Sequence, residues 1–410
     1  MQRCRSCGGD LNALFCDLGL SPLANAFVDP AALGKGEAFY PLKTMICDSC
    51  LLVQLGEFVP REELFSDYKY FSSYSETWLQ HARNVSDLSA SRFNLGSESF
   101  VVEVASNDGY LLRNFVAAGI PCLGVEPASN VAAVAIEKGI PTHCDFFGRR
   151  VAEQIRDEKG AADVIFANNV LAHVPDLNDF VSGFKALIAP SGTIIFEFPH
   201  IYDMIREVQF DTIYHEHFSY FSLKSAEALF RRHGLRVYDA ERIPTHGGSL
   251  RLYVCRSEIG FADTSRLVDI RVLEQKSGLC SLEGYQLFDR EVAKIKYDTL
   301  EFLIDLKRQG KKVIAYGAAA KGNTFLNYCG IHSDLISAVI DRNPHKQGHF
   351  LPGSRIEICS PEAISSLNPD VIIILPWNLK EEISTSLDYA GEWGGRFFVC
   401  IPHIEEVSCL

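Results

Sequence analysis

From about residue 99 to the C-terminus, short runs rich in valine, isoleucine and phenylalanine alternate with helical stretches, and they do so in two separate series. This alternation constrains the fold most. Strands joined through helices lie parallel, and a parallel sheet must be covered on both faces. The first series predicts strands at 100–105 (FVVEVA), 121–126 (PCLGVE), 140–144, 163–167 and 193–198. A further strand, LRLYVC at 250–255, is expected as an antiparallel edge. A long helical stretch over 281–308 then leads to a second series at 311–317, 336–341, 371–375 and 396–401. The expected class is α/β, with two Rossmann-like domains.

A length of 410 residues predicts two or three domains. With 47% hydrophobic and 22% charged residues, the chain can bury a sizeable core. Its 39 basic and 52 acidic residues give a net charge of -13, which repels nucleic-acid backbones and anionic membranes. No apolar run reaches the length of a membrane span, and the first residues lack the apolar core of a signal peptide. The expectation is a cytoplasmic monomer without nucleic-acid or membrane partners. In a reducing compartment the 13 cysteines are not expected to form a disulfide framework.

Cys4 and Cys7 form one C-x2-C pair, and Cys47 and Cys50 form another after 39 intervening residues. Each pair delivers two sulfurs from one tight turn, which suits tetrahedral zinc. With four protein ligands that zinc would be structural. The other nine cysteines stand apart from one another, most in apolar contexts, and read as buried small hydrophobes.

Ligands of a doubly wound sheet bind at the carboxyl ends of its strands. There the first series offers Glu103, the turn Ala105-Ser106-Asn107-Asp108-Gly109, Glu126, Asp145 with Phe146, and Asn168 with Asn169. An acid after the second strand is placed for ribose hydroxyls; an acid beside an aromatic after the third suits adenine. The turn has one glycine where a dinucleotide fingerprint has three. This pattern of charges fits S-adenosylmethionine, which is cationic, better than a dinucleotide.

After the fifth strand comes FDTIYHEHFSYFS, with Tyr214, His215, Glu216 and His217 in a row, and His173 is expected at the same end of the sheet. A histidine tuned by a carboxylate or phenol suits acid–base work near neutral pH. In a strand Tyr214 and Glu216 share one face and the histidines the other; in a helix the row spreads around the axis. In the second series, GAAAKGN opens a helix and places Lys321 near its start, as for a phosphate. Neither a Walker A motif nor G-x-G-x-x-G is present, so a bare structural domain is an equal reading there.

The paired knuckles together with EVASNDGYLL, LGVEPASNVA, NNVLAHVPD and YHEHFSYFS resemble the sugar C-methyltransferases of deoxysugar biosynthesis, over the whole chain. The resemblance implies a zinc-binding module at 1–66, a methyltransferase domain at 67–255 and a C-terminal Rossmann-like sugar-nucleotide domain at 256–410. It implies methyl transfer from S-adenosylmethionine to C-3 of a nucleotide-linked 4-keto-6-deoxyhexose. It places Tyr214, Glu216, His217, His173 and Tyr68 in the active site. His217 is then the expected base, Tyr214 or His173 stabilises the enolate oxygen, and Glu216 orients His217 or holds a sugar hydroxyl. Gly317, Lys321 and Asn323 are expected to hold the diphosphate, with Arg251 and Trp377 as further phosphate and base contacts. Two other readings compete: an O- or N-methyltransferase, and a non-catalytic zinc-containing sugar-nucleotide binder.

Overall fold

The computed structural model describes residues 3–56, 58–60, 72–74 and 76–408. They form two compact units. The first comprises Met1–Asn12, Ile46–Ile201 and Phe218–Leu282; the second comprises Ala13–Met45, Tyr202–His217 and Glu283–Leu410.

The first unit holds a seven-stranded sheet of β1 (Val101–Val104), β2 (Cys122–Val125), β3 (Thr142–His143), β4 (Ala162–Asn168), β5 (Ile188–Pro199), β6 (Leu235–Ile243) and β7 (Ser249–Arg256). Its order is β6-β7-β5-β4-β1-β2-β3, and only β7 runs against the rest. The strand expected as an edge is therefore internal. LRVYDAERI, in which polar residues interrupt the apolar pattern, forms the true edge as β6. Four-residue β1 is buried along its whole length, as a strand covered on both faces requires. On one face Phe184 meets Phe196, and Phe196 stacks on Phe230, each pair 4.8 Å apart between ring centroids. A phenylalanine buried this completely contributes about 1.5–3 kcal/mol. The helix Leu177–Leu187 beneath them starts where Asp176 accepts the Asp179 N–H.

The second unit holds a six-stranded sheet of β8 (Val313–Tyr316), β9 (Val339–Ile340), β10 (Ile358–Cys359), β11 (Val371–Ile374), β12 (Arg396–Val399) and β13 (Glu405–Val407). Its order is β10-β9-β8-β11-β12-β13, parallel except for β13. β10 and β13 are two and three residues long, too short to leave a periodic trace in the sequence. The stretch 13–45 is tied into this unit. Phe15 stacks on Phe288 at 4.4 Å, Val28 bridges to Phe350, and Arg355 Nε donates to Glu37 at 2.8 Å. The expected long helix starts later, at Phe288, after the 3-10 turn Leu282–Tyr285.

Candidate active site

The two knuckles close in the same way. Gly8 N–H donates to Cys4 O at 2.8 Å, and Leu51 N–H donates to Cys47 O at 3.0 Å. The residue after each second cysteine is left-handed, Gly8 at φ 73 and Leu51 at φ 59. The four sulfurs converge within 4.8 Å of one another. Zinc at ~2.3 Å from each sulfur sets sulfur pairs ~3.8 Å apart, and the Cys4–Cys50 and Cys7–Cys47 pairs lie at 3.6 and 3.4 Å. The hydrogen bond with Cys50 lowers the Cys4 thiol to about 4, against the effect of burial. Donor chemistry and spacing both fit zinc. Of the other cysteines, Cys16, Cys122, Cys255, Cys329 and Cys400 are buried as expected, Cys359 is half-buried, and Cys144 and Cys280 are exposed.

At the carboxyl end of the first sheet, β1 leads into a turn with Ala105, Asn107 and Gly109 at φ 57, 49 and 78. A Cβ at Gly109 would also lie 2.8 Å from Ile140, so only glycine closes this turn. Glu126, following β2, braces it. Its Oε2 accepts Asn107 N–H at 2.9 Å, and its Oε1 accepts Ala128 N–H at 2.9 Å. Burial raises the Glu126 carboxyl, and those two amides oppose the rise. Asn107 Oδ1 in turn accepts Ser72 N–H at 2.8 Å. Glu103 lies buried within β1; burial raises its carboxyl well above the usual range, and neighbouring Glu126 and Asp108 add to this. Asp145 accepts Phe146 N–H at 2.7 Å and pairs with Arg150 at 2.6 Å, which hold its carboxyl low despite partial burial.

Asn168 ends β4, and Asn169 follows at φ 52 with its Nδ2 3.3 Å from His246 Nε2. The Trp78 ring lies 5.1 Å from His246 and stacks on His81 at 4.9 Å. His173, half-buried, ends a 3-10 turn, and Ala172 O before it accepts Phe218 N–H at 2.8 Å. Arg251 departs from expectation. Its Nε donates to Glu197 at 2.5 Å and its Nη1 to Glu241 at 3.0 Å, while His81 holds the other Glu197 oxygen at 2.8 Å. A guanidinium buried between two carboxylates is already charge-balanced, which is poor chemistry for a phosphate ligand.

The histidine row is neither strand nor helix. It is a turn in which His217 N–H donates to Tyr214 O at 2.9 Å. This brings the first and fourth side chains together, with ring centroids 4.0 Å apart. His217 Nδ1 lies 2.8 Å from Thr212 O, and Nε2 lies 2.7 Å from the Tyr214 hydroxyl. A carbonyl only accepts, so Nδ1 carries the proton in the neutral ring. Nε2 is then the acceptor, and Tyr214 O–H donates to it. The expected orienting partner, Glu216, is replaced here by the Thr212 carbonyl. Glu216 is buried, and its Oε1 accepts from Asn25 Nδ2 at 2.6 Å. Burial raises its carboxyl to about 7, with the Asn25 amide opposing. His215 packs edge-on to Tyr40 at 5.8 Å, and burial lowers its imidazole.

This turn is pinned from the second sheet. Thr324 Oγ1, on the helix Ala320–Cys329, donates to Ile213 O at 3.1 Å, and Phe210 packs on Phe325 and Tyr328. Buried Asp211 accepts Trp377 Nε1–H at 2.8 Å, and Lys321 Nζ sits 4.8 Å from the Trp377 ring centre. Burial lowers the Lys321 ammonium, with the Asp211 charge acting against it. Gly317, at φ 95, passes so close to Pro376 that a Cβ would lie 2.4 Å from its Cγ. Asn323 is buried and accepts from Asn327. Sequence reading missed Asp211, Thr212 and Asn25. Asp211 lies within the segment already singled out, but Asn25 stands 191 residues from Glu216 and no local pattern links them. Tyr68 lies outside the described residues.

Three family models match in succession. "Putative zinc binding domain" covers residues 4–65, "Methyltransferase domain" 76–240, and "C-methyltransferase C-terminal domain" 244–402. The C-methyltransferase NovU of Streptomyces niveus is 35% identical over 408 residues, spanning 100% of this chain and 97% of that one. The chain belongs to the C-methyltransferase family. It is a methyltransferase enzyme that uses S-adenosylmethionine and zinc, and the cluster of Cys4, Cys7, Cys47 and Cys50 fits that zinc. Among solved structures, magnesium protoporphyrin IX methyltransferase of Synechocystis PCC 6803 is similar with TM-score 0.34 and 15% identity, covering 44% of this chain and 79% of that one. An S-adenosylmethionine-dependent methyltransferase of Clostridium acetobutylicum gives TM-score 0.35 and 11% identity over 43% of this chain and 92% of that one. Both likenesses are too low to bear on fold or function. No helix of the described residues is long and apolar enough to cross a membrane.

Proposed function

We propose that the acceptor is C-3 of a nucleotide-linked 4-keto-6-deoxyhexose and that His217 is the final proton acceptor. The observation that carries this reading is the Tyr214–His217–Thr212 chain, with hydrogen bonds of 2.7 and 2.8 Å. Carbon is a poor nucleophile until a proton leaves, and a carbon beside a ketone gives up its proton because the enolate spreads charge onto oxygen. Methylation at carbon therefore needs a base strong enough for a carbon acid, which methylation at an oxygen or nitrogen lone pair does not. A neutral imidazole with Nε2 free of its own proton is that base. As the C-3 proton moves to the Tyr214 oxygen, the Tyr214 proton moves to Nε2. The imidazolium formed still donates from Nδ1 to Thr212 O, now as a charge-assisted bond.

His173 is assigned to the enolate oxygen at C-4 and Glu216 to a sugar hydroxyl. Tyr68 keeps the active-site place that the resemblance gives it. S-adenosylmethionine, when bound, supplies an electrophilic methyl group on a sulfonium. Glu126 would hold its ribose, Asp145 with Phe146 its adenine, and Glu103, Ala105, Asn107, Gly109, Asn168 and Asn169 its remaining surface. Lys321, half-buried beside Trp377, is assigned to the diphosphate. We assign a zinc module to 1–66, a donor domain to 67–255 and a sugar-nucleotide domain to 256–410, with 13–45 and 202–217 packing in the compact unit of the last.

The test is incubation with methyl-labelled S-adenosylmethionine and a panel of dTDP-, GDP- and CDP-linked 4-keto sugars. Label in a new carbon–carbon bond on at least one of them is expected. No transfer to any, with cofactor binding intact, contradicts the reading.

A further inference from the structure

The stretch that carries Asn25 lies between the strand Leu11–Ser21 and the 3-10 turn Pro30–Ala32, and it belongs to the same compact unit as residues 202–217. The Val28–Phe350 bridge and the Glu37–Arg355 pair anchor it on the same side of Asn25 in sequence, and Phe15 on Phe288 anchors it on the other. Asn25 itself is exposed, whereas Glu216, which its amide reaches at 2.6 Å, is 6% exposed. An exposed amide therefore sits on the solvent side of a buried carboxyl. A carboxylate only accepts, so the Asn25 N–H stabilises the ionised form.

We propose that Asn25 is a positioning residue that holds Glu216 oriented and ionised, so that the stretch between the two zinc knuckles takes part in the active site. This rests on the acid–base reading above for its relevance to turnover, and on geometry alone for the contact. Apart from burial, the Asn25 amide is the one influence resolved on Glu216 among the described residues. Tyr214, His215 and His217 flank it on its own turn, and Tyr40 packs on His215. Burial pushes the Glu216 carboxyl up to about 7, and the Asn25 donor opposes that rise.

The experiment is a pH titration of the Glu216 carboxyl carbon by 13C NMR in the full chain, with Glu216→Gln used to assign the signal. The midpoint should rise in Asn25→Ala, which removes the donor, and rise further in Asn25→Asp, which places a second acid beside Glu216. Turnover should follow: its acidic limb shifts to higher pH, with a roughly two- to tenfold loss of kcat near pH 6 that is recovered at alkaline pH. The KM for the methyl donor should stay unchanged. A Glu216 midpoint unmoved in both variants overturns the proposal. A moved midpoint with an unmoved activity profile supports the Asn25 contact and counts instead against Glu216 acting in the reaction.

Discussion

In the first sheet, Glu126 accepts the N–H of Asn107 from the turn after β1 and the N–H of Ala128 two residues on, both at 2.9 Å. In the second sheet, Asp341 accepts the N–H of Ala318 from the turn after β8 and the N–H of Asn343 two residues on, both at 2.8 Å. The two acids stand just after their second strands and brace their first turns alike. They differ in what balances their charge. Lys346 Nζ lies 3.3 Å from Asp341 and donates to Ala318 O at 2.9 Å. Among the described residues no cation is resolved acting on Glu126, whose carboxyl burial raises. Lys346 balances Asp341 from within the fold, whereas on the proposed reading Glu126 is balanced by a ligand bearing hydroxyls and positive charge. On that proposal one brace is part of a binding site and the other is plain structure.

Glu126→Gln should break this comparison with the largest effect. A glutamine cannot accept both amides or keep the charge, and hydrogen bonds to a charged group contribute about 1.5–3 kcal/mol. Affinity for S-adenosylhomocysteine, measured by calorimetry, should fall by roughly ten- to a hundredfold. Undiminished affinity would remove Glu126 from the donor site. Asp341→Asn should leave that affinity unchanged while lowering the stability of the second unit by about 1–3 kcal/mol, read by denaturant unfolding, because one buried amide loses its acceptor. A change in donor affinity there would erase the distinction between the two acids. Lys346→Met should have the smallest effect. It removes a partly exposed ion pair, costs under about 1 kcal/mol in the same unfolding measurement, and leaves turnover intact.

The same contrast explains what was legible in the sequence. The knuckles and the buried strands were readable because their spacing and periodicity are local: FVVEVA contains β1, PCLGVE contains β2, and VIIIL contains β11. The strand-end acids were readable because topology fixes where strands end. Polar β6 and two-residue β10 left no such pattern. The Tyr214–His217 contact was not readable, because a tight turn pairs the first and fourth residues where neither strand nor helix spacing does. Arg251 read as a phosphate ligand because its partners Glu197 and Glu241 are brought to it by strand pairing, 54 and 10 residues away. Asn25 was invisible for the same reason over a longer span.

Proton removal from carbon by the Tyr214–His217 pair is the central step of the proposed reaction. Its most direct test is exchange of the acceptor's C-3 proton in deuterium oxide, followed by NMR with S-adenosylhomocysteine bound so that no methyl is transferred. Wild-type protein should exchange the proton, and Tyr214→Phe and His217→Asn should each lose that exchange. Wild-type rates of exchange in both variants, or no exchange in a wild-type protein that methylates the same sugar, would contradict it.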